Sequence, residues 1–212
     1  AAGLTNPGAI TTYSYSYNET ANNTGNTITR SGWLTTTVTD DANNQTVVLT
    51  DLLGRTVTST DPNAGNSAFT YDRNGNITQT QDAVVFGTGE TISTVGNTIN
   101  TTYDALGRPT FRWSGTAGNW GAAPDTARLA AWTYDTATNG KGMLAEEVSW
   151  QLGKEYKSGV YEYTNRYQVS AIYTIIPDFS PLPDSMEGTW NRAYAYDEAG
   201  HVLVDSVNPA PG

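Results

Sequence analysis

The sequence predicts an all-β fold made of an array of antiparallel β-hairpins. Apolar residues make up only 37% of the 212 residues and charged residues only 15%, whereas Thr, Asn, Gly and Tyr are plentiful. A helical bundle needs abundant Leu, Ala, Glu and Lys. Thr and Tyr fit half-exposed strands instead, and Gly, Asn and Asp supply the turns between them. A repeated Tyr-Asp dipeptide adds the period that an array of similar hairpins requires.

The Tyr-Asp dipeptide occurs at nearly regular intervals. The spacings between its tyrosines are 32, 31 and 62 residues. Because 62 is twice 31, one period explains all three and predicts a degenerate copy within the longest interval, where residues 161–166 (YEYTNR) lie. The four complete copies are Tyr71-Asp72, Tyr103-Asp104, Tyr134-Asp135 and Tyr196-Asp197.

A Gly follows the Asp by three residues in three of these copies, and Asp51 and Gly54 repeat the pattern after Thr50. Asp at the first and Gly at the fourth position is typical of a type I turn closed by a left-handed residue, a common hairpin connection. The carboxylate accepts N–H bonds within such a turn, and Gly adopts the left-handed conformation without a Cβ clash. The predicted turn residues are Asp51, Gly54, Tyr71, Asp72, Gly75, Tyr103, Asp104, Gly107, Tyr134, Asp135, Tyr196, Asp197 and Gly200.

Segments that alternate apolar with polar residues flank these turns, as strands with one buried face do. Strands are predicted before the turns at residues 46–49, 68–71, 99–103, 131–134 and 193–196, and after them at 55–59, 76–80 and 201–205. Loops are predicted at 22–26, 115–125 and 177–188. Residues 1–212 are therefore predicted to form a single array, with degenerate hairpins in 1–45, including the alternating run 13–17, and recognisable repeats in 46–207.

The sequence resembles the YD repeats of RHS (rearrangement hot spot) proteins over roughly residues 45–205, most closely at residues 71–76 (YDRNGN), 103–108 (YDALGR) and 132–144 (WTYDTATNGKGML). The resemblance implies an extended, spiralling β-sheet, which in full-length relatives closes into a hollow shell around a toxic C-terminal domain. Related repeats occur in insecticidal toxin complexes, bacterial wall-associated proteins and teneurin adhesion receptors. The chain departs from these relatives in having no Asp-Pro-rich core segment and too few hairpins to close a large shell.

The charge pattern excludes some partners. The formal net charge of −10 is spread along the chain without basic clusters, so neither nucleic acid nor an acidic membrane surface is expected as a partner. No apolar window is long enough for membrane insertion. Cysteine is absent, which excludes a Cys nucleophile or a thiolate metal site. The first residues, Ala1-Ala2-Gly3, predict a longer precursor, and a secreted or cell-surface location is expected.

No catalytic residue, metal site or cofactor is predicted. The single histidine, His201, follows a corner Gly in the place where Arg55 and Arg108 stand in other copies, and a catalytic triad would need it beside a serine and an acid. Glycoside hydrolysis would need a pair of acids, but the acids here are explained as turn residues. Segments 61–66 and 72–76 hold oxygens that could attract Ca²⁺, yet they are better explained as Asx turns.

The predicted function is that of a non-catalytic structural scaffold in an extracellular assembly. Its expected partners are further copies of the chain, or the rest of a longer polypeptide, through open sheet edges. An alternative is a carbohydrate-binding module in which Trp113 and Trp120 stack on sugars. A second alternative is a segment of a toxin-encapsulating shell within a longer parent protein.

Overall fold

The computed structural model describes residues 11–18, 33–82, 85–86, 92–94, 97–178 and 187–209. These residues form sixteen β-strands and one short 3-10 helix, Trp120–Ala122. Fourteen strands lie in one antiparallel sheet, in which hydrogen-bonded neighbours follow the order of the chain. The predicted fold class, an all-β array of antiparallel hairpins, is confirmed. No helix among the described residues is long and apolar enough to span a membrane.

Contacts within the chain group it into two compact units, residues 1–99 and 100–212. The prediction that residues 1–212 form a single array stays a prediction. The predicted loop at 22–26 lies outside the described residues, as does most of the predicted loop at 177–188.

The first unit contributes six strands to the large sheet and also holds a separate two-stranded hairpin. The six strands are β1 (Thr12–Asn18), β2 (Trp33–Thr39), β3 (Gln45–Thr50), β4 (Thr56–Asp61), β5 (Gly65–Tyr71) and β6 (Ile77–Asp82). The separate hairpin consists of β7 (Val85–Phe86) and β8 (Ile92–Thr94).

One row of buried side chains crosses four neighbouring strands of the first unit. Thr35 pairs with Leu49, Leu49 with Thr58, and Thr58 with Ala68. Residues directly opposite each other on antiparallel strands project from the same face, and all four are only 3–8% exposed. Four of the buried residues of this unit therefore lie on one line across the sheet, whereas Val57, next to Thr58 in β4, is also buried.

The second unit contains most of β9, which begins just before the unit boundary, and all of the later strands. The strands are β9 (Thr98–Tyr103), β10 (Pro109–Ser114), β11 (Arg128–Tyr134), β12 (Leu144–Gln151), β13 (Lys154–Tyr163), β14 (Val169–Ile176), β15 (Gly188–Tyr196) and β16 (Val202–Pro209). Its buried apolar residues are Trp113, Ala123, Ala145, Val148 and Tyr163.

The pairing register shifts just before the turns that the sequence predicts. In four hairpins the shift falls between the last two residues of the strand that leads into the turn. A bulge of this kind, combined with a left-handed residue in the turn, is the hairpin connection that the Asp-to-Gly pattern indicates. The shifts lie at Leu49/Thr50, Thr70/Tyr71, Thr133/Tyr134 and Ala195/Tyr196.

Candidate functional site

Six five-residue turns in the described part of the chain share one backbone geometry, and we call each of them a corner. In each corner the first residue donates its N–H to the carbonyl of the fifth, at 2.7–3.1 Å, and the fourth donates its N–H to the carbonyl of the first, at 2.9–3.2 Å. The hairpin is thus closed by bonds inside the turn itself. The corners are residues 40–44, 51–55, 72–76, 104–108, 164–168 and 197–201.

The first residue of a corner caps the turn with its side chain. In the corners that begin at Asp40, Asp51, Asp72 and Asp104, carboxylate Oδ1 accepts the N–H groups of the third and fifth residues at 2.8–2.9 Å. Thr164 does the same with its hydroxyl, at 3.2 and 3.1 Å. The capping oxygen accepts hydrogen bonds from backbone N–H groups that form none with a neighbouring strand.

The fourth residue of every corner has a positive φ. Gly54, Gly75, Gly107 and Gly200 have φ values between 77° and 90°. The Asp-to-Gly pattern does not include the corners in which Asn43 (φ 64°) and Tyr167 (φ 60°) take this place, although the second begins within the predicted degenerate copy at residues 161–166. Asn adopts the left-handed conformation more readily than most residues, so Asp40 followed by Asn43 was a usable signal.

The fifth residue turns back to the capping carboxylate. Arg55 and Arg108 donate Nε to Oδ2 of Asp51 and Asp104, both at 2.7 Å. The side-chain amides of Asn44 and Asn76 donate to Oδ2 of Asp40 and Asp72. In the last corner, the His201 ring nitrogen Nδ1 lies 2.9 Å from Asp197 Oδ2. The hydrogen bonds from the fifth residue lower the pKa values of the Asp72, Asp104 and Asp197 carboxyls.

In two places an arginine links one corner to the next turn at the same end of the strands. In the first unit, Arg55 lies over the Tyr71 ring at 4.5 Å and donates Nη1 to the Asp72 carbonyl at 3.3 Å. In the second unit, Arg108 lies over the Tyr134 ring at 4.2 Å. Its two terminal nitrogens donate to the two Asp135 carboxylate oxygens, at 3.3 and 2.6 Å.

The tyrosine before a corner links that corner to the preceding one. The hydroxyl of Tyr71 donates to the carbonyl of Thr56 at 2.6 Å, and that of Tyr196 to Val169 at 2.6 Å. In both cases the acceptor is the first residue after the preceding corner. These tyrosine and arginine contacts between successive corners of one unit form what we call the corner ladder. Tyr103, the remaining predicted tyrosine, is half-buried.

Asp135 begins a turn that is longer than the five-residue corners. Its N–H donates to the carbonyl of Met143, eight residues on. Within this loop Thr138 pairs with β13, donating to Tyr161 and accepting from Tyr163, both at 2.9 Å. Tyr163 also donates its hydroxyl to Leu144, the residue that follows the loop, at 2.7 Å. The longer turn therefore keeps the tyrosine contact of the ladder.

The two tryptophans of the glycan-binding alternative belong to one aromatic cluster. Trp113 lies in β10, is only 4% exposed, and donates Nε1 to the Ala117 carbonyl. Trp120 stacks on Phe111 at 4.9 Å, and the Arg128 guanidinium lies over the Trp120 ring at 4.9 Å. A sugar platform needs an open ring face. Trp113 offers none, and packing already occupies much of Trp120.

The acidic side chains considered for metal or catalysis serve local turns. Asp61 Oδ1 accepts the N–H groups of Asn63 and Ala64, both at 2.8 Å. Both carboxylate oxygens of Asp72 are bonded within its own corner. Among the described residues, no three His, Asp or Glu side chains converge as a metal-binding group would.

The comparison with protein families decides the identity of the repeat. The family model described as RHS Repeat matches residues 51–84, which contain two corners and the Arg55–Tyr71 contact between them. Residues 51–84 form an RHS repeat. No curated protein matches the sequence of this chain.

A solved structure, that of TcdB2-TccC3-TEV, is similar to this chain at 16% sequence identity with a TM-score of 0.35. The match covers 95% of this chain but only 10% of the chain in that structure. The chain thus spans about a tenth of that protein's length.

Proposed function

We propose that this RHS-repeat chain is a non-catalytic structural segment of a secreted or cell-surface assembly, such as a shell, fibre or filament. The corner ladder carries the proposal. The corners at 51–55 and 72–76, for example, are held to each other by the Arg55 guanidinium and the Tyr71 hydroxyl. Stabilisation by nearest neighbours is the principle on which stacked repeat proteins are built.

The small apolar core of each unit supports a role within something larger. Among the described residues, three apolar side chains are buried in the first unit and five in the second, and three of these eight are alanines. Independent domains of this size bury a larger apolar surface to offset chain entropy. Additional repeats or partners would supply the missing burial.

The outermost strands offer a place for such partners. Among the described strands, β1 and β16 each pair on one side only. Both strands carry exposed apolar side chains, which are Tyr13, Tyr15 and Tyr17 in β1, and Val202, Leu203, Val204 and Val207 in β16. We propose that further copies of the chain, or the rest of a longer polypeptide, pair with these strands.

A shell segment of a longer parent protein, the second alternative, is a special case of this proposal, because it too needs strands that continue beyond β1 and β16. The glycan-binding alternative gains no support from Trp113, whose ring is buried. An enzymatic role gains none from the corner carboxylates, because Asp51, Asp72 and Asp104 are each engaged by their own turn.

Sedimentation velocity over a wide concentration range tests the proposal. We expect the wild-type chain to self-associate, and Leu203→Lys to reduce the association because a charge on an open strand opposes edge pairing. Leu53→Lys is the matched control: Leu53 is 75% exposed, similar to the 67% of Leu203, but lies in a corner. A wild-type chain that stays monomeric throughout, from a gene encoding no further repeats, would contradict the proposal.

A further inference from the structure

In two places an arginine side chain lies between one corner and the turn that follows it. Arg55 is the fifth residue of its corner, and its guanidinium rests on Tyr71, the tyrosine that leads into the next corner. Arg108 has the same position in its corner and rests on Tyr134. In both places the guanidinium also donates to the Asp that follows the tyrosine. The ladder thus contains a position for a guanidinium, over the tyrosine and beside the Asp of the next turn, which we call the guanidinium seat.

The corners at residues 164–168 and 197–201 have the same seat without the arginine. Tyr196 is placed as Tyr71 is, with its hydroxyl on the carbonyl of the residue after the preceding corner. The fifth residue of that preceding corner is Gln168, whose amide donates to the Gly200 carbonyl at 3.2 Å. In the described part of the chain, no cation lies over the Tyr196 ring.

An open groove marks this seat on the surface. Its lining includes Gln168, Tyr196, Asp197, Glu198 and Arg166. Arg166 donates to the backbone carbonyl of Glu198 and so bridges the two corners from the side. The exposed Glu198 carboxylate forms no ion pair with another described residue. The groove is therefore lined both by an aromatic residue, Tyr196, and by an acidic one, Glu198.

We propose that this groove binds an arginine side chain of a partner polypeptide, with the guanidinium over the Tyr196 ring and its N–H groups on the Glu198 carboxylate. A planar guanidinium stacks on an aromatic face while its edge donates to oxygens, which a lysine ammonium does less well. Arg55 and Arg108 show that the ladder accommodates this arrangement. The site goes beyond the proposed scaffold role, because it holds whether or not the chain self-associates.

Binding of Nα-acetyl-L-argininamide, followed by NMR on the full chain, tests the proposal. We expect saturable shifts of the Tyr196 ring and Gly200 amide signals at millimolar concentrations. Nα-acetyl-L-citrullinamide, which replaces the guanidinium with a neutral urea of the same shape, should cause no saturable shift. Absence of saturation with the arginine compound, or equal responses to the two compounds, would overturn the proposal.

Two variants locate the binding in the groove. Gln168→Arg should fill the seat from within, abolish the saturable shifts and raise the unfolding temperature. Gln151→Arg makes the same change on an exposed residue of β12 and should leave binding intact. Glu198→Gln, on an exposed corner residue, should weaken binding about threefold. A folded Gln168→Arg chain that binds as wild type does, or unchanged affinity in Glu198→Gln, would overturn the proposal.

Discussion

The guanidinium carbon of Arg55 lies 4.5 Å from the centre of the Tyr71 ring, although Arg55 ends one corner and Tyr71 leads into the next. The same side chain pairs with Asp51 in its own corner and donates to the Asp72 carbonyl in the next. One arginine therefore closes its own turn and holds the following turn in place.

We expect Arg55→Lys to lower the free energy of unfolding by about 0.5–1 kcal/mol. The charge is kept, but lysine cannot stack as a plane on Tyr71 while donating to two corners. Urea unfolding measures the change. Arg73→Lys is the control, because Arg73 is an exposed corner residue with no hydrogen bond or ion pair to another described residue. Equal effects of the two substitutions would show that the ladder contact contributes nothing specific.

The corner at residues 164–168 contains a strained fourth residue. Tyr167 has φ 60° and is 59% exposed, so its side chain gains little packing in return. A left-handed conformation costs an L-residue about 1–2 kcal/mol, and the added chain entropy of Gly costs about 0.5–1 kcal/mol. We expect Tyr167→Gly to raise the free energy of unfolding by about 0.5–1 kcal/mol.

The reverse substitution provides the matched test. Gly54 holds the fourth position of its corner at φ 77°, with no atom near the place where a Cβ would lie. Gly54→Ala should therefore destabilise the chain through the backbone alone, by about 1 kcal/mol. Chemical denaturation of both variants decides the matter. Changes of the same sign would mean that φ at the fourth position does not control corner stability.

Much of the fold could be predicted because the interactions that define it are local. The bonds that close the corner from Asp104 to Arg108 all lie within five residues, so the pattern of Asp and Gly contains the information. The corner at 40–44 was not predicted because Asn43 stands where Gly was sought. The length of the turn that begins at Asp135 was not predicted, because it depends on the pairing of Thr138 with β13.

The contacts that build the ladder could not be predicted in the same way. The partners of Tyr71, Gln168 and Arg108 on neighbouring corners are 15 to 32 residues away in sequence. A period shows that hairpins stack, but it does not show which side chain crosses from one hairpin to the next. For the same reason the burial of Trp113 was not foreseen: it depends on neighbours such as Trp120 across the loop.

We expect the chain to lose stability in acid because of the Asp72 carboxyl. A hydrogen bond from the Asn76 amide, with further backbone N–H groups, holds the pKa of the Asp72 carboxyl below its ordinary value of 3.8. A group whose pKa is lower in the folded state stabilises the fold above its unfolded pKa. That contribution is lost as the pH falls through the folded-state pKa, so it declines progressively below about pH 4.

Asp72→Asn tests this expectation, because the amide oxygen can still accept the backbone N–H groups of the corner but does not titrate. We expect the wild type to be the more stable at about pH 6 and to lose this advantage by about pH 2. Thermal unfolding across this range measures the difference. Asp41→Asn changes an exposed corner residue that forms no hydrogen bond or ion pair with another described residue, and it should not follow the same course. A constant wild-type advantage would contradict the prediction.

Gly159 of β13 lies beneath the ring of Tyr173, and we expect Gly159→Ala to destabilise the chain by about 1–3 kcal/mol. Gly159 pairs with Glu146 on one side and Tyr173 on the other. The tyrosine crosses over the glycine and donates its hydroxyl to the Glu146 carboxylate. A methyl group at Gly159 would lie 2.3 Å from the ring, so the ring must move and the hydroxyl contact must break.

Gly118→Ala is the control, since Gly118 has open space around it and its substitution should change stability little. A double-mutant cycle then identifies the cause. In a Tyr173→Ala background the ring is gone, so adding Gly159→Ala should cost nothing and can even stabilise the strand, because Ala loses less backbone entropy than Gly. If Gly159→Ala were equally destabilising in both backgrounds, the ring of Tyr173 would not be the reason that this position is glycine.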